Sequence, residues 1–291
     1  MNFHELKVEI NNCSSMNFVA ATRRLQAIIF NLSKASIVEL ITEIGTIPED
    51  IGHDSTEEKL YTKVSDILLA KSLIELNLEA EVLTQRADCA DVIAQSHYHP
   101  YSLVGDAKAF RLSRTAKNAK DYKVNSMDKW RGDREYSVLV CPYFQYPKNT
   151  SQIYKEALEE NVALFSWEYI YILLKQGVKE SPTVNFSTLW NQSEIISKNI
   201  TIENSKANFL DTQNKHIADF LHISLDTFYQ YFQQVKNILE KRGMTEILYY
   251  ENEIERVKLL NREEAIEELL KSMKLDSKIA TIKGFMAQLK N

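Results

Sequence analysis

The sequence predicts an α/β protein in which a mixed central sheet is wrapped by many helices. Three observations predict this. Short apolar or β-branched runs (VIA, SLVG, SVLVC and VALF) are confined to residues 92–165, and such runs bounded by turn residues read as strands. A helical pattern, SQIYKEALEE, sits between the last two of them, which is the texture of an α/β core. Long segments with apolar residues at 3.6-residue spacing flank this region on both sides. With 7 Gly and 5 Pro in 291 residues there is little material for long loops.

The elements follow in order. FVAATRRLQAIIFNL (18–32) has helical spacing, with Arg23 and Arg24 on the other face. Ser33 is placed to cap a second helix, KASIVELITEI, which Gly45 stops. Ser55 or Thr56 opens a longer one, EEKLYTKVSDILLAKSLIEL. Glu57 and Glu58 fall in its first turn, where the helix dipole favours acids. HYHP (97–100) is a turn between the first two strand-like runs. After VALF, Ser166 caps SWEYIYILLKQ and Gly177 ends it. From about Lys206 three further helical stripes run to the end. Phe228, Tyr229, Tyr231 and Phe232 are at core spacing in one of them. Such clusters exceed what one small sheet can cover, which implies contact with a second copy of the chain. No period of 20–50 residues repeats, so a solenoid is rejected. One compact domain over 1–291 is expected: a helical part to about residue 80, an α/β core over about 81–180, and a helical part over about 181–291.

Composition narrows the function. The formal net charge is −5, and three widely spaced cysteines include no C-x-x-C. They fit buried thiols in a reducing, cytoplasmic setting. No apolar run approaches the ~20 residues that span a bilayer, so no membrane is expected. No P-loop, G-x-G-x-x-G or G-x-S-x-G is present. Charge is unevenly distributed. Residues 106–131 hold eight Lys or Arg against three acids, a local +5 that leaves the remainder at −10. An acidic body with one basic band restricts where a polyanion docks.

That band begins beside a candidate metal site. Five D/E-x-K triplets occur in the chain, where composition alone predicts about three by chance, so the triplet alone is weak. Context selects Asp106–Lys108. It ends a strand-like run, and the preceding strand-like run begins at a carboxylate, Asp91. Residues i and i+2 of a strand share a face, so Asp106 and Lys108 project together. A hairpin between the two runs brings Asp91 to the same point. Two carboxylates and the carbonyl of Ala107 are the hard oxygen donors Mg2+ prefers, and Lys108 suits a water or a developing phosphorane charge. The competing reading is two strand-end acids and a solvated lysine. Glu58 has a dipole role and a minor alternative as support for the metal site.

Lys108, Arg111, Arg114, Lys117, Lys120 and Lys123 recur every third residue. On an α-helix that spacing drifts by about 60° per step, so they cannot share one face. A broken helix or loop laid along a phosphate backbone is expected, with Asn118, Asp121 and Lys123 as candidates for reading base edges. A solvated charged face is the ordinary explanation of a charge run. Here the scarcity of acids and the adjacent carboxylates weaken it.

The same residues carry a resemblance. STEEKL at Ser55, DVIA at Asp91, DAKAFRLSRTAKNAKDYK at Asp106, FQYP at Phe144, NVALFSWE at Asn161 and NREEAIEELLK at Asn261 appear in order over most of the chain. Together they resemble the HindIII family of type II restriction endonucleases, within the PD-(D/E)xK nuclease superfamily. The resemblance implies a homodimer on palindromic duplex DNA, a Mg2+ requirement, and cleavage of AAGCTT after the first A with four-base 5′ overhangs. It matches Asp91 and Asp106 to the two motif acids and Lys108 to the motif lysine. Ala90 stands where the generic motif has Pro, and Asp106 where Glu is commoner. The alternatives are a structure-specific or repair nuclease and a non-catalytic DNA-binding protein.

Overall fold

Local signals account for most of the helix starts. The computed structural model describes residues 1–83, 89–114, 119–147, 151–198, 205–274 and 278–283. Its first half opens with α1 (Phe3–Cys13), α2 (Phe18–Phe30), α3 (Lys34–Ile41) and α4 (Thr56–Glu75). Ser33 caps α3 by accepting from the Ser36 N–H, and Ser55 caps α4 by accepting from the Glu58 N–H. Each such cap satisfies one backbone donor that the helix leaves open. α4 is buried nearly all round from Val64 to Ala70 and forms the central rod against which the sheet packs.

The sheet has five strands in the order β1 (Leu78–Val82), β2 (Val92–Ser96), β3 (Ser102–Ala107), β4 (Tyr136–Cys141) and β5 (Val162–Ser166). β1–β2 and β2–β3 are antiparallel, and β3–β4 and β4–β5 are parallel. The mixed α/β fold expected from the sequence is therefore present. β1 was not among the strand-like runs, because LEAEV carries two glutamates and follows a helix almost without a break.

Both faces of β3 to β5 are covered, so these strands read as near-continuous apolar runs. Leu103, Val138, Val140 and Phe165 enter a core shared with α1 to α4 and α8 (Trp167–Gln176). Their neighbours Val104, Leu139, Cys141 and Leu164 enter a second core. That core is built with α6 (Val124–Arg131), α7 (Ile153–Glu159) and residues of the later helices. Each fully buried Leu, Phe or Val contributes roughly 1.5–3 kcal/mol. Ser166 caps α8, and Gly177 ends it at φ +68° in the left-handed region. Gly105 lets α4 approach β3: a Cβ there would lie 3.2 Å from Leu69 Cδ2.

The basic segment is broken, as its threefold spacing requires. A short turn at Leu112–Ser113 is followed by α5 (Ala119–Tyr122) and α6, with Lys123 between them at φ +53°. The short helices α9 (Ser187–Trp190) and α10 (Gln192–Ser197), then α11 (Ser205–Phe220), lead to α12 (Leu225–Lys258) and α13 (Arg262–Ser272).

The chain divides into two compact units, Met1–Gly243 and Met244–Asn291. In the first, Phe228 and Phe232 are buried against Tyr143 and Tyr169. This corrects the expectation that they are surplus apolar surface: the α8 face and the Tyr143 turn cover them within the same chain. The surplus is in the second unit. There α13 buries no residue, and Leu259, Leu269 and Leu270 are exposed. No helix among the described residues is long and apolar enough to cross a membrane.

Candidate active site

The β2–β3 hairpin sets the geometry. Val92 pairs with Gly105, so Asp91 and Asp106 stand one residue further out on adjacent strands. Lys108, two residues past Asp106, stays on the ladder through its N–H to the Val140 carbonyl at 2.8 Å. Its own carbonyl accepts from Trp167 Nε1 at 3.3 Å. Lys108 donates to an Asp106 carboxylate oxygen, and the Asp106 side chain is almost wholly buried.

α4 supplies a third carboxylate that the sequence reading did not single out. Oxygens of Asp66, Asp91 and Asp106 all lie within 4.8 Å of one another. Lys63, one turn before Asp66, lies 2.7 Å from Asp91 Oδ1 and 3.6 Å from Asp66 Oδ2. Asp66 interrupts the run VSDILLA. A charged residue inside an otherwise apolar stretch of helix was the available signal, since such groups are almost never buried without a purpose or a partner.

The residues fit a divalent metal. Three carboxylates converge, the buried Asp66 Oδ1 has no hydrogen-bond partner, and Ala107 is buried at the end of β3. An orphaned buried oxygen in an acidic cluster is what a hard cation satisfies. Burial raises the Asp66 carboxyl well above the usual carboxylate range, Asp91 adds to this, and Lys63 opposes it. Burial likewise raises Asp106 against the pull of Lys108. Burial lowers both lysines, but their carboxylate partners more than offset it, so Lys63 and Lys108 are held more firmly protonated than usual.

The cluster opens into a cleft of about 810 Å3. Its walls bring in Arg23 and Gln26 of α2, Lys59 of α4, Trp130 of α6 and Lys123 at the start of α6. Five cationic side chains (Arg23, Lys59, Lys63, Lys108 and Lys123) face three aspartates there, so the cleft is positive in an acidic chain. Lys123 sits 5.4 Å from the centre of the Trp130 ring.

The rest of the basic band is less uniform than its spacing suggests. Arg111 turns inward: it donates to the Pro48 carbonyl at 2.8 Å and to Glu58 at 2.6 Å. Glu58 thus lies with Arg111, His53 and Asp54 rather than in the Asp66–Asp91–Asp106 cluster. Arg114 is exposed and pairs with Asp121 at 2.7 Å. Lys120 is exposed on α5. Lys117 and Asn118 lie outside the described residues.

Residues 4–286 match the family model of the HindIII restriction endonuclease. The chain belongs to that family. A HindIII-family relative from Haemophilus influenzae, named Type II restriction enzyme HindIII, is 44% identical over 282 residues. That match covers 97% of this chain and 94% of the relative. Membership in the HindIII family therefore extends over both compact units and is not confined to the motif region.

Proposed function

We propose that this chain is a type II site-specific deoxyribonuclease making Mg2+-dependent double-strand cuts in palindromic DNA. The site is AAGCTT, cut after the first A to leave four-base 5′ overhangs. One observation carries the reading: three converging carboxylates, two of them buried, and a paired lysine lie at the floor of a positive cleft. The target is the one that the resemblance of DAKAFRLSRTAKNAKDYK to the HindIII family implies, and the 44% identity to the HindIII relative supports it.

In this reading Asp91, Asp106 and the Ala107 carbonyl hold the metal, with Asp66 as a further ligand. Bound Mg2+ supplies Lewis acidity toward a phosphoryl oxygen and lowers the pKa of a coordinated water. Lys108, fixed at both its N–H and its carbonyl, presents an ammonium that orients the attacking water or offsets charge on the phosphorane. Arg114, Lys120 and Lys123, with Lys117, hold the backbone phosphates, and Asn118, Asp121 and Lys123 read bases. Arg111 braces the band from inside through Glu58. A palindrome cut on both strands calls for a two-fold dimer. The exposed apolar residues of the second unit, such as Ile247, Leu248 and Leu269, support a contact between copies. The free thiols of Cys13, Cys89 and Cys141 support a cytoplasmic location.

A plasmid digest with Mg2+, followed by run-off sequencing of the ends, tests the reading. Discrete fragments ending at AAGCTT are expected. A smear would favour a nonspecific or repair nuclease, and an intact but shifted plasmid would favour a DNA-binding protein without cleavage.

A further inference from the structure

Two ammonium groups serve three carboxylates at the cleft floor. Lys108 is committed to Asp106. Lys63 is held differently: its Nζ contacts Asp91 Oδ1 at 2.7 Å and the Leu83 carbonyl at 3.0 Å, with Asp66 Oδ2 at 3.6 Å. Its side chain is 12% exposed and lines the cleft. The ammonium therefore stands between Asp66 and Asp91, two of the three carboxylates that would ligate a metal.

An ammonium and a divalent cation cannot share that space without strong repulsion, because like charges a few ångströms apart repel strongly at low effective dielectric. We propose that Lys63 is a resident counter-ion that neutralises the cluster before metal arrives and competes with the divalent cation for Asp66 and Asp91. The inference rests on the reading of the aspartate cluster as a metal site. The charge balance supports it. Asp66, Asp91 and Asp106 with Lys63 and Lys108 carry a formal −1, and without Lys63 the set carries −2. The flexible four-carbon stem lets the ammonium leave for the cleft wall without moving α4. This arrangement holds a buried acidic cluster folded in the absence of metal and lowers its affinity for metal as a consequence.

Calorimetric titration of the full chain with Mg2+, at fixed pH and without DNA, tests this. Lys63→Met keeps the stem and removes the charge, and it should bind Mg2+ at least about tenfold tighter than the unaltered chain. Lys63→Arg, whose fork grips two carboxylates, should bind at least about threefold weaker. Equal or weaker binding by Lys63→Met overturns the proposal and makes Lys63 a brace for Asp91. If Lys63→Met does not fold, Lys63→Arg decides alone, and unchanged or tighter affinity overturns the proposal. If neither the unaltered chain nor Lys63→Met binds Mg2+, the metal-site reading itself fails. Binding by both with equal affinity sinks only the role of Lys63.

Discussion

Among the described residues, two clusters bring three potential metal ligands within 4.8 Å of one another, and they differ in origin and burial. His53, Asp54 and Glu58 come from one short stretch, and His53 and Asp54 are exposed. Glu58 is engaged by Arg111 and by the Asp54 N–H. Asp66, Asp91 and Asp106 come from three elements, two of them are buried, and one oxygen is left without a partner. In the first cluster, helix capping and an ion pair explain the geometry completely. In the second, burying carboxylates without enough partners lowers stability, a cost that a bound cation would offset. Proximity alone does not distinguish a site. Unsatisfied burial does.

The sharpest way to break this contrast is to neutralise one acid in each cluster. Asp106→Asn should lower cleavage by at least about 10²-fold while DNA binding persists. Asp54→Asn should leave cleavage within about twofold. If Asp106→Asn cuts near the unaltered rate in a plasmid time course, the two clusters are equivalent and the assignment fails.

Arg111 gives the next largest effect, because it ties the exposed cluster to the basic band. Its guanidinium is mostly buried against Glu58 and backbone carbonyls. Arg111→Ala should cost about 2–3 kcal/mol of stability, since it leaves the part-buried Glu58 without its cationic partner. Arg114→Ala, at an exposed pair, should cost under about 1 kcal/mol and should flatten the salt dependence of DNA binding by about one unit of slope. Chemical denaturation and binding titrations over a salt series separate the two. Equal losses of stability would refute the inward role of Arg111.

Asp66 sharpens the contrast through pH. Its folded carboxyl is raised by burial first and then by Asp91. A raised acid binds its proton more tightly when folded, so its contribution is fully present below about pH 4 and is lost as pH rises from there. Asp66→Asn should therefore melt higher than the unaltered chain at pH 8.5, by about 1–2 kcal/mol, and gain less at pH 5.5. It should also lose most of the stabilisation that added Mg2+ provides. A gain that is the same at both pH values would show that Asp66 is ionised without penalty.

Glu168 provides a smaller comparison outside both clusters. Burial pushes it up to about 7, although it accepts the Tyr143 N–H at 2.8 Å. Its contribution should be present below about pH 4.5 and fade as pH rises toward 7. Glu168→Gln should flatten the stability profile across that window without altering metal binding. A profile unchanged by the substitution would place the pH dependence in the aspartate cluster instead.

What the sequence determined is what depends on neighbours along the chain. Caps at Ser33, Ser55 and Ser166, the stop at Gly177, the two-residue step from Asp106 to Lys108 and the broken basic band all rest on local geometry. Each is legible because one residue satisfies or frustrates a backbone only a few positions away. The 15-residue step from Asp91 to Asp106 was legible too, because a hairpin is the shortest way to fold it. The tertiary structure alone decided that α4 lies under the hairpin, close enough at Gly105 to add Asp66 and Lys63. It also placed Arg23 and Lys59 on the cleft wall, turned Arg111 inward to Glu58, and buried Phe228 and Phe232 while leaving Leu259, Leu269 and Leu270 exposed. Those outcomes depend on which faces meet after collapse. Hydrophobic burial is non-directional, so the pattern of apolar residues states that a face is covered without stating by what.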